Sequence, residues 1–484
     1  MLTRLFHEPT TFELEAWANN VQNDGIIRYF GFLNQERLMI TTIEAYKELL
    51  LRDAYSYDKL SGLSALQAPV GVSGLVSSKG VLHKAHRRHT IAAYNASWAR
   101  TLCPEIFKTA KEASEVLDNI ASKSPRGIFR VNRFLREMCL DVVGRADFSL
   151  DLGAVARPDQ EVTKKYLHAF DVGEQSPLFL KLLQLCPRAL QVSAAMFVSK
   201  LIGIDISLMK GVIEDSVASK LKGLKEFKTV AEVSLDDERE DLLGRICRRA
   251  QPYLSERALS RHALTALAGS VEMVSNQLAW ALYAISLTNY KIVQEALRAE
   301  ILEHFPTCPE SVTWEELKNM PYLIGVVNET LRLYPSVAHR FRICSTPTTL
   351  LNQTIRKNTM LVWPTYAVNR RAGLWGDDTE EFRPERWSED AVSNRKGNKR
   401  DAYAFMTFGQ GPRKCPGEHY TKVVMACVLL VFVGRFRFKM PPAHADVFED
   451  HDKKQVKFGI VMKAPIYVQV EKLLSWGGLA ETSN

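Results

Sequence analysis

The sequence predicts a mainly α-helical fold with a minor β lobe, and three observations carry that prediction. Apolar residues recur at helical spacing through most of residues 80–335. Short runs bounded by turn residues flank that region at 26–42 and 340–366. An almost uninterrupted apolar stretch, Val423 to Phe436, reads as a buried helix near the C-terminus.

Taken in order, residues 26–42 read as a hairpin, with a Gly and an Asn-Gln turn between apolar runs. Glu44 to Arg52 is expected to be helical. Polar breaks near 122–127, 150–160 and 223–240 divide the helical region. Arg261 to Leu287 reads as one long helix, and Asn328 to Arg332 as part of a helix that stops at Tyr334-Pro335, since proline disfavours helical backbone before it. Residues 388–402 form a charged, apolar-poor loop, and Val456 to Val470 alternates enough to suggest a final hairpin. No Pro-, Gly- or Ser-rich linker, repeat or low-complexity tract interrupts the chain, so one domain over 1–484 is expected.

Composition narrows the function. With 46% hydrophobic residues in 484, the chain can bury a core large enough to enclose a cofactor. The net charge of +8 is modest and spread along the sequence, which argues against nucleic acid as a partner. Eight dispersed cysteines without a CxxC pair fit a reducing compartment with one special thiol. No transmembrane segment is expected: Ala263 to Leu287 is interrupted by Glu272, Ser275 and Asn276, and Val423 to Val433 is too short. Met1 to Asp24 is polar and mixed, without signal-peptide character.

The chemistry concentrates in Phe408-Gly-Gln-Gly-Pro-Arg-Lys-Cys-Pro-Gly417. Its glycines let the backbone turn tightly and approach something flat and bulky. Arg413, Lys414 and the following helix N-terminus are expected to hold the Cys415 thiol as a thiolate, a form suited to ligating haem iron. A single Gly-rich loop is weak support, but six positions fit together here: Phe408, Gly409, Gly411, Arg413, Cys415 and Gly417. At each of them the segment resembles the haem-binding loop of the cytochrome P450 family. Glu329-Thr-Leu-Arg332 and Pro384-Glu-Arg386-Trp387 resemble that family's ExxR and PER(F/W) segments. Alone, a Glu–Arg pair at i and i+3 is usually a weak surface ion pair. The resemblance implies instead a buried triad of Glu329, Arg332 and Arg386 that locks the Cys415 loop.

The resemblance runs from about residue 25 to 470, with five motifs in order. It implies a haem b enclosed between a long distal helix and the Cys-loop helix, with Cys415 as iron ligand. His83 and Arg87 lie four apart in a basic cluster that reads equally as a solvated helix face; in the family, the corresponding helix binds a haem propionate. Arg413 matches the family's propionate arginine, and Arg342 is a further candidate. On the distal side, Gly269 and Ser270 provide small residues, and Glu272 a carboxylate. The family's usual threonine falls on Met273 or on Glu272, depending on register, and neither supplies a hydroxyl. Substrate contacts are expected from Leu60–Val81, from Val337, Ala338, His339 and Phe341, and from Ile460 and Val461. His339 and Arg340 are polar for such a stretch, and they fit a propionate or solvent as well as a substrate.

The implied activity is haem-thiolate monooxygenation of a small apolar organic substrate with O2, such as a terpenoid or polyketide. Electrons would come from NADPH through NADPH-cytochrome P450 reductase. Two other readings stand beside it: desaturation, cyclisation, coupling or rearrangement without net hydroxylation, and a non-catalytic haem-binding sensor. The sequence looks most like membrane-anchored fungal members of secondary metabolism. That implies membrane association at the cytosolic face of the endoplasmic reticulum through an anchor missing from this chain, or a cytosolic protein if natively soluble.

Overall fold

The computed structural model describes residues 11–31, 34–59, 74–175, 191–201, 203–226, 240–388, 401–447, 456–457, 461–462 and 464–476. The expected helical mass is present. Its axis is a long helix, Glu256–Ser286, whose start is capped by the Ser255 side chain accepting from Ala258 N. Most of this helix is buried, because it packs along Val131–Phe148 on one side and also meets Pro321–Leu333 and Glu418–Arg435. The last of these helices is the predicted apolar one. Every residue from Val423 to Gly434 is buried in it, so it is apolar all round and not amphipathic.

The β lobe is a five-stranded sheet in the order Ile26–Phe30, Glu36–Ile40, Met360–Trp363, Arg340–Cys344, Tyr57–Asp58. The predicted hairpin forms, pairing Ile26 with Ile40 and Phe30 with Glu36. Glu36–Ile40 then runs parallel to Met360–Trp363, which pairs antiparallel with Arg340–Cys344. This sheet matters for the site because successive residues of Arg340–Cys344 point to opposite faces. Arg340 and Arg342 share one face, and Phe341 lies on the other.

Two expectations need correction. The final hairpin is not one unit: among the described residues Val456–Lys457 pairs with Val461–Met462, whereas Tyr467–Lys472 lies between Ile128–Arg130 and Phe436–Lys439 in a separate sheet. Alternation marks a strand without naming its partner. Phe436 opens a strand instead of closing the preceding helix, which ends at Arg435. The expected break near 122–127 is present and leads into a short strand, Ile128–Arg130. Residues 389–400 of the charged loop and 60–73 of the expected substrate segment lie outside the described residues. No helix among the described residues is long and apolar enough to cross a membrane.

Candidate active site

The Cys415 loop is shaped by two glycines in left-handed backbone, Gly409 at φ 68° and Gly411 at φ 75°. A Cβ on Gly411 would fall inside the contact distance of the Leu50 carbonyl oxygen, so the loop packs on Glu48–Arg52 only with glycine there. Cys415 N donates to Phe408 O at 2.9 Å, closing the loop on itself, and Glu418–Arg435 begins three residues after the thiol. A Cβ on Gly417 would lie 3.9 Å from Cys415 Sγ, an ordinary contact.

Cys415 is accessible at the surface of the site but densely surrounded by protein, and this enclosure raises its thiol pKa. The Gly417 backbone N–H and the charges of Arg340 and Arg87 pull it down, while Glu418 pushes it up. The expected cations are therefore replaced. Lys414 pairs with Glu418 at 2.6 Å and Arg413 with Asp58 at 3.2 Å, and the cations that lower the thiol pKa, Arg340 and Arg87, come from distant elements.

Around the loop, the fold gathers an excess of positive charge. Arg87, on helix Gly80–Thr90, donates from Nη1 to Lys414 O at 2.7 Å, tying this helix to the Cys415 loop. His83, one turn earlier, is buried with Nδ1 3.1 Å from Tyr55 Oη. Its pKa is lowered to about 3 by burial and then by Lys59, Arg413, Arg87 and Arg342. Lys59 is lowered to about 6 by burial and by Arg342, Arg413, Arg87 and Arg340. Arg342, stacked 5.0 Å over Trp363, is lowered to about 9 by burial, Arg413 and Arg340. Among the described residues of this cluster, Asp58 supplies the one carboxylate bonded to a cation, and buried nitrogens Arg413 Nε and Nη1 and Arg340 Nε lack a hydrogen-bond partner. Cations that depress one another and keep unpaired donors fit an anionic group. The two carboxylates of a haem b satisfy that requirement.

Behind the loop lies the Glu329 cluster. Glu329, Arg332 and Arg386 are fully buried. Arg332 donates to both Glu329 oxygens at 2.9 and 2.7 Å, Arg386 Nε donates at 3.1 Å and Trp387 Nε1 at 2.8 Å. Burial raises the Glu329 pKa, but the Arg332 hydrogen bonds and both arginine charges more than offset it, and the net shift is downward. The link to the Cys415 loop runs through a residue that sequence reasoning missed. Asn369 Nδ2 donates to Arg332 O at 3.0 Å and to Thr407 Oγ1 at 2.8 Å, while its Oδ1 accepts from Met406 N at 3.0 Å. Thr407 Oγ1 donates in turn to Leu331 O, and Arg340 Nη2 donates to Thr407 O. No local pattern around Asn369 signals this role, since every partner comes from elsewhere in the chain.

The long helix separates its candidates. Gly269 is exposed and a Cβ there would meet nothing within 4 Å, while Ser270 and Met273 are half-buried. These three form an open stripe. Glu272 does not join it: it is buried against Arg136, whose Nη2 and Nε donate to Oε1 at 3.0 and 3.2 Å. Its carboxylate is taken up by an interhelix ion pair, which supplies the polar partner that burial of a charge requires. On that stripe Ser270 carries a hydroxyl, while Gly269 and Met273 carry none.

The expected substrate contacts also divide. Val337 is half-buried, but Ala338 is fully buried and its carbonyl accepts from Tyr366 N. His339 and Phe341 are corrected: strand alternation turns Phe341 into the β-lobe core with Leu14, Ile27 and Met39, and His339 packs edge-on against Phe341. Ile460 lies outside the described residues, and Val461 is placed only by its backbone pairing with Lys457.

Comparison with known proteins gives this arrangement its class. Residues 6–468 match the family model described as Cytochrome P450, and the chain belongs to that family. It is 27% identical to Cytochrome P450 monooxygenase sphH of Aspergillus fumigatus, over 90% of this chain and 80% of that protein. It is 25% identical to Cytochrome P450 monooxygenase FSL4 of Gibberella zeae, over 98% of this chain and 86% of that one. Against Cytochrome P450 monooxygenase buaD of Petromyces alliaceus the identity is 26%, over 93% and 83% respectively. The protein is thus a P450 monooxygenase, in a family whose cofactor is a haem with a cysteine thiolate on iron.

Proposed function

We propose that Cys415 is the haem ligand of a monooxygenase that oxidises a small apolar metabolite, such as a terpenoid or polyketide, with O2. In this reading Arg87, Arg340, Arg342 and Arg413, with Lys59 and His83 beside them, hold the haem carboxylates. The buried cationic cluster with unpaired Arg413 and Arg340 nitrogens carries the reading, because such a cluster is costly without an anion. The bound haem supplies the redox chemistry on O2 and substrate. The chain's own part is positional. Glycines 409 and 411 and the Asn369 link fix the Cys415 loop, the Glu329 cluster fixes Asn369's surroundings, and the Gly269–Met273 stripe leaves room above. NADPH-cytochrome P450 reductase as electron donor, and the cytosolic face of the endoplasmic reticulum as location, follow from the same reading.

Cys415→Ala is expected to abolish the red-shifted absorbance band of the reduced carbon-monoxide complex. A variant that keeps this band overturns the assignment of Cys415. A second outcome, desaturation or ring formation without net hydroxylation, is favoured by Met273, which brings no hydroxyl to its own position on the stripe. Labelled dioxygen separates the two, since only hydroxylation leaves label in the product.

A further inference from the structure

We propose that Ser336 is a positioning residue of the oxidation site, providing at the turn of Met273 the hydroxyl that residue 273 itself lacks; this rests on the haem-thiolate reading above. Ser336 follows Tyr334-Pro335, and its side chain is buried against the long helix. Its Oγ accepts from Asn276 Nδ2 at 2.9 Å and from Gln277 Nε2 at 2.8 Å. Those two bonds fill both lone pairs and leave one proton. That proton is directed at the Met273 carbonyl oxygen, 3.4 Å away, which is long for an O–H donor. A hydroxyl that accepts twice is polarised into a better donor, so this proton is available and only loosely spent.

A second observation marks the same place. Gln277 Oε1 is buried and has no hydrogen-bond partner. An amide oxygen in that state is costly unless a water satisfies it. Ser270 brings its own hydroxyl to the stripe three residues earlier, and two nearer polar groups are committed elsewhere. Glu272 is bound by Arg136, and Ser275 Oγ donates back to Glu272 O. Ser336 is the side-chain hydroxyl bonded to the backbone of Met273, beside the stripe of Gly269, Ser270 and Met273. It holds that turn from outside the helix and presents a polarised donor to it.

The test uses purified haem-loaded protein and needs no knowledge of the substrate. Carbon monoxide is the probe, and the C–O stretching frequency of the reduced complex reports the polarity of the distal face. In parallel, peroxide released per NADPH consumed is measured with the reductase. Ser336→Ala is expected to shift the stretch and raise the peroxide ratio several-fold, and Ser336→Thr to restore both. If Ser336→Ala fails to fold, Ser336→Cys keeps the volume, weakens the donor and carries the same expectation. An unchanged stretch and peroxide ratio in Ala or Cys, with the red-shifted band intact, overturns the proposal. Absence of that band from the unmodified protein would instead overturn the haem-thiolate reading beneath it.

Discussion

Asn369 shows how one side chain transmits order between two buried clusters. It is fully buried, with both amide hydrogens and its oxygen used, and its partners are Arg332 on one side and Met406 and Thr407 on the other. Arg332 is itself fixed by Glu329, so the Cys415 loop is tied to a group of charges that cannot move independently. Removing this amide leaves the Met406 N–H without its acceptor in a buried setting. Asn369→Ala is therefore expected to cost about 1–3 kcal/mol in stability. The more telling effect belongs at the site: haem should transfer to an acceptor protein faster than from the unmodified protein, followed by absorbance. Equal transfer rates would show that Asn369 supports the fold without holding the loop.

At the scale of elements, the long helix is held against Val131–Phe148 by the Arg136–Glu272 pair, with the half-exposed Asp171 also on Arg136. Breaking a buried pair strands the remaining charge, and Glu272→Ala is expected to lower stability by about 3 kcal/mol, the low end for such losses because Asp171 still serves Arg136. Replacing both partners by Arg136→Met and Glu272→Leu should recover most of it in chemical denaturation. If the double variant is no more stable than the single one, the pair is not what the single variant loses. This pair also explains what the sequence made legible. Residues 408–417 and Glu329–Arg332 carry their meaning contiguously, and the long helix and the β hairpin follow from periodicity. Helical spacing alone sets Glu272 and Met273 about 100° apart around the axis but cannot say which one faces the site. Arg136, Asp58 and Asn369 settle such questions, and each acts across a large sequence separation. The final strand, Tyr467–Lys472, escaped for the same reason, since its partners Ile128–Arg130 and Phe436–Lys439 are not its neighbours in sequence.

Over the whole molecule, buried histidines make the fold sensitive to acid, and two of them sit at junctions between elements. His262, on the long helix, faces His86 of helix Gly80–Thr90 at 3.1 Å, and burial, then His86, lowers its pKa from 6.5 to about 4. His339, in contact with Thr11 and Phe341, is lowered from 6.5 to about 3 by burial and Arg37. Both stay neutral in the folded protein at a pH where the unfolded chain binds a proton. The unfolded state then holds more protons, so stability rises with pH through this window. Each contribution is complete above about pH 6.5 and is lost as pH falls, down to about 4 for His262 and about 3 for His339. The slope is about 1.4 kcal/mol per pH unit for each, or about 2 kcal/mol apiece at pH 5. Asp147 acts in the opposite sense, because burial holds its pKa well above the usual carboxylate range and acid favours its protonated, folded form. Comparing variants with the unmodified protein cancels that background. Urea unfolding at pH 7 and pH 5 should show His262→Gln and His339→Asn each losing less stability on acidification than the unmodified chain. The same loss in all three proteins would place the acid sensitivity elsewhere. The expected difference assigns the shares of His262 and His339 to two junctions: the contact between helix Gly80–Thr90 and the long helix, and the seam between the helix Thr11–Asn20 and the β lobe.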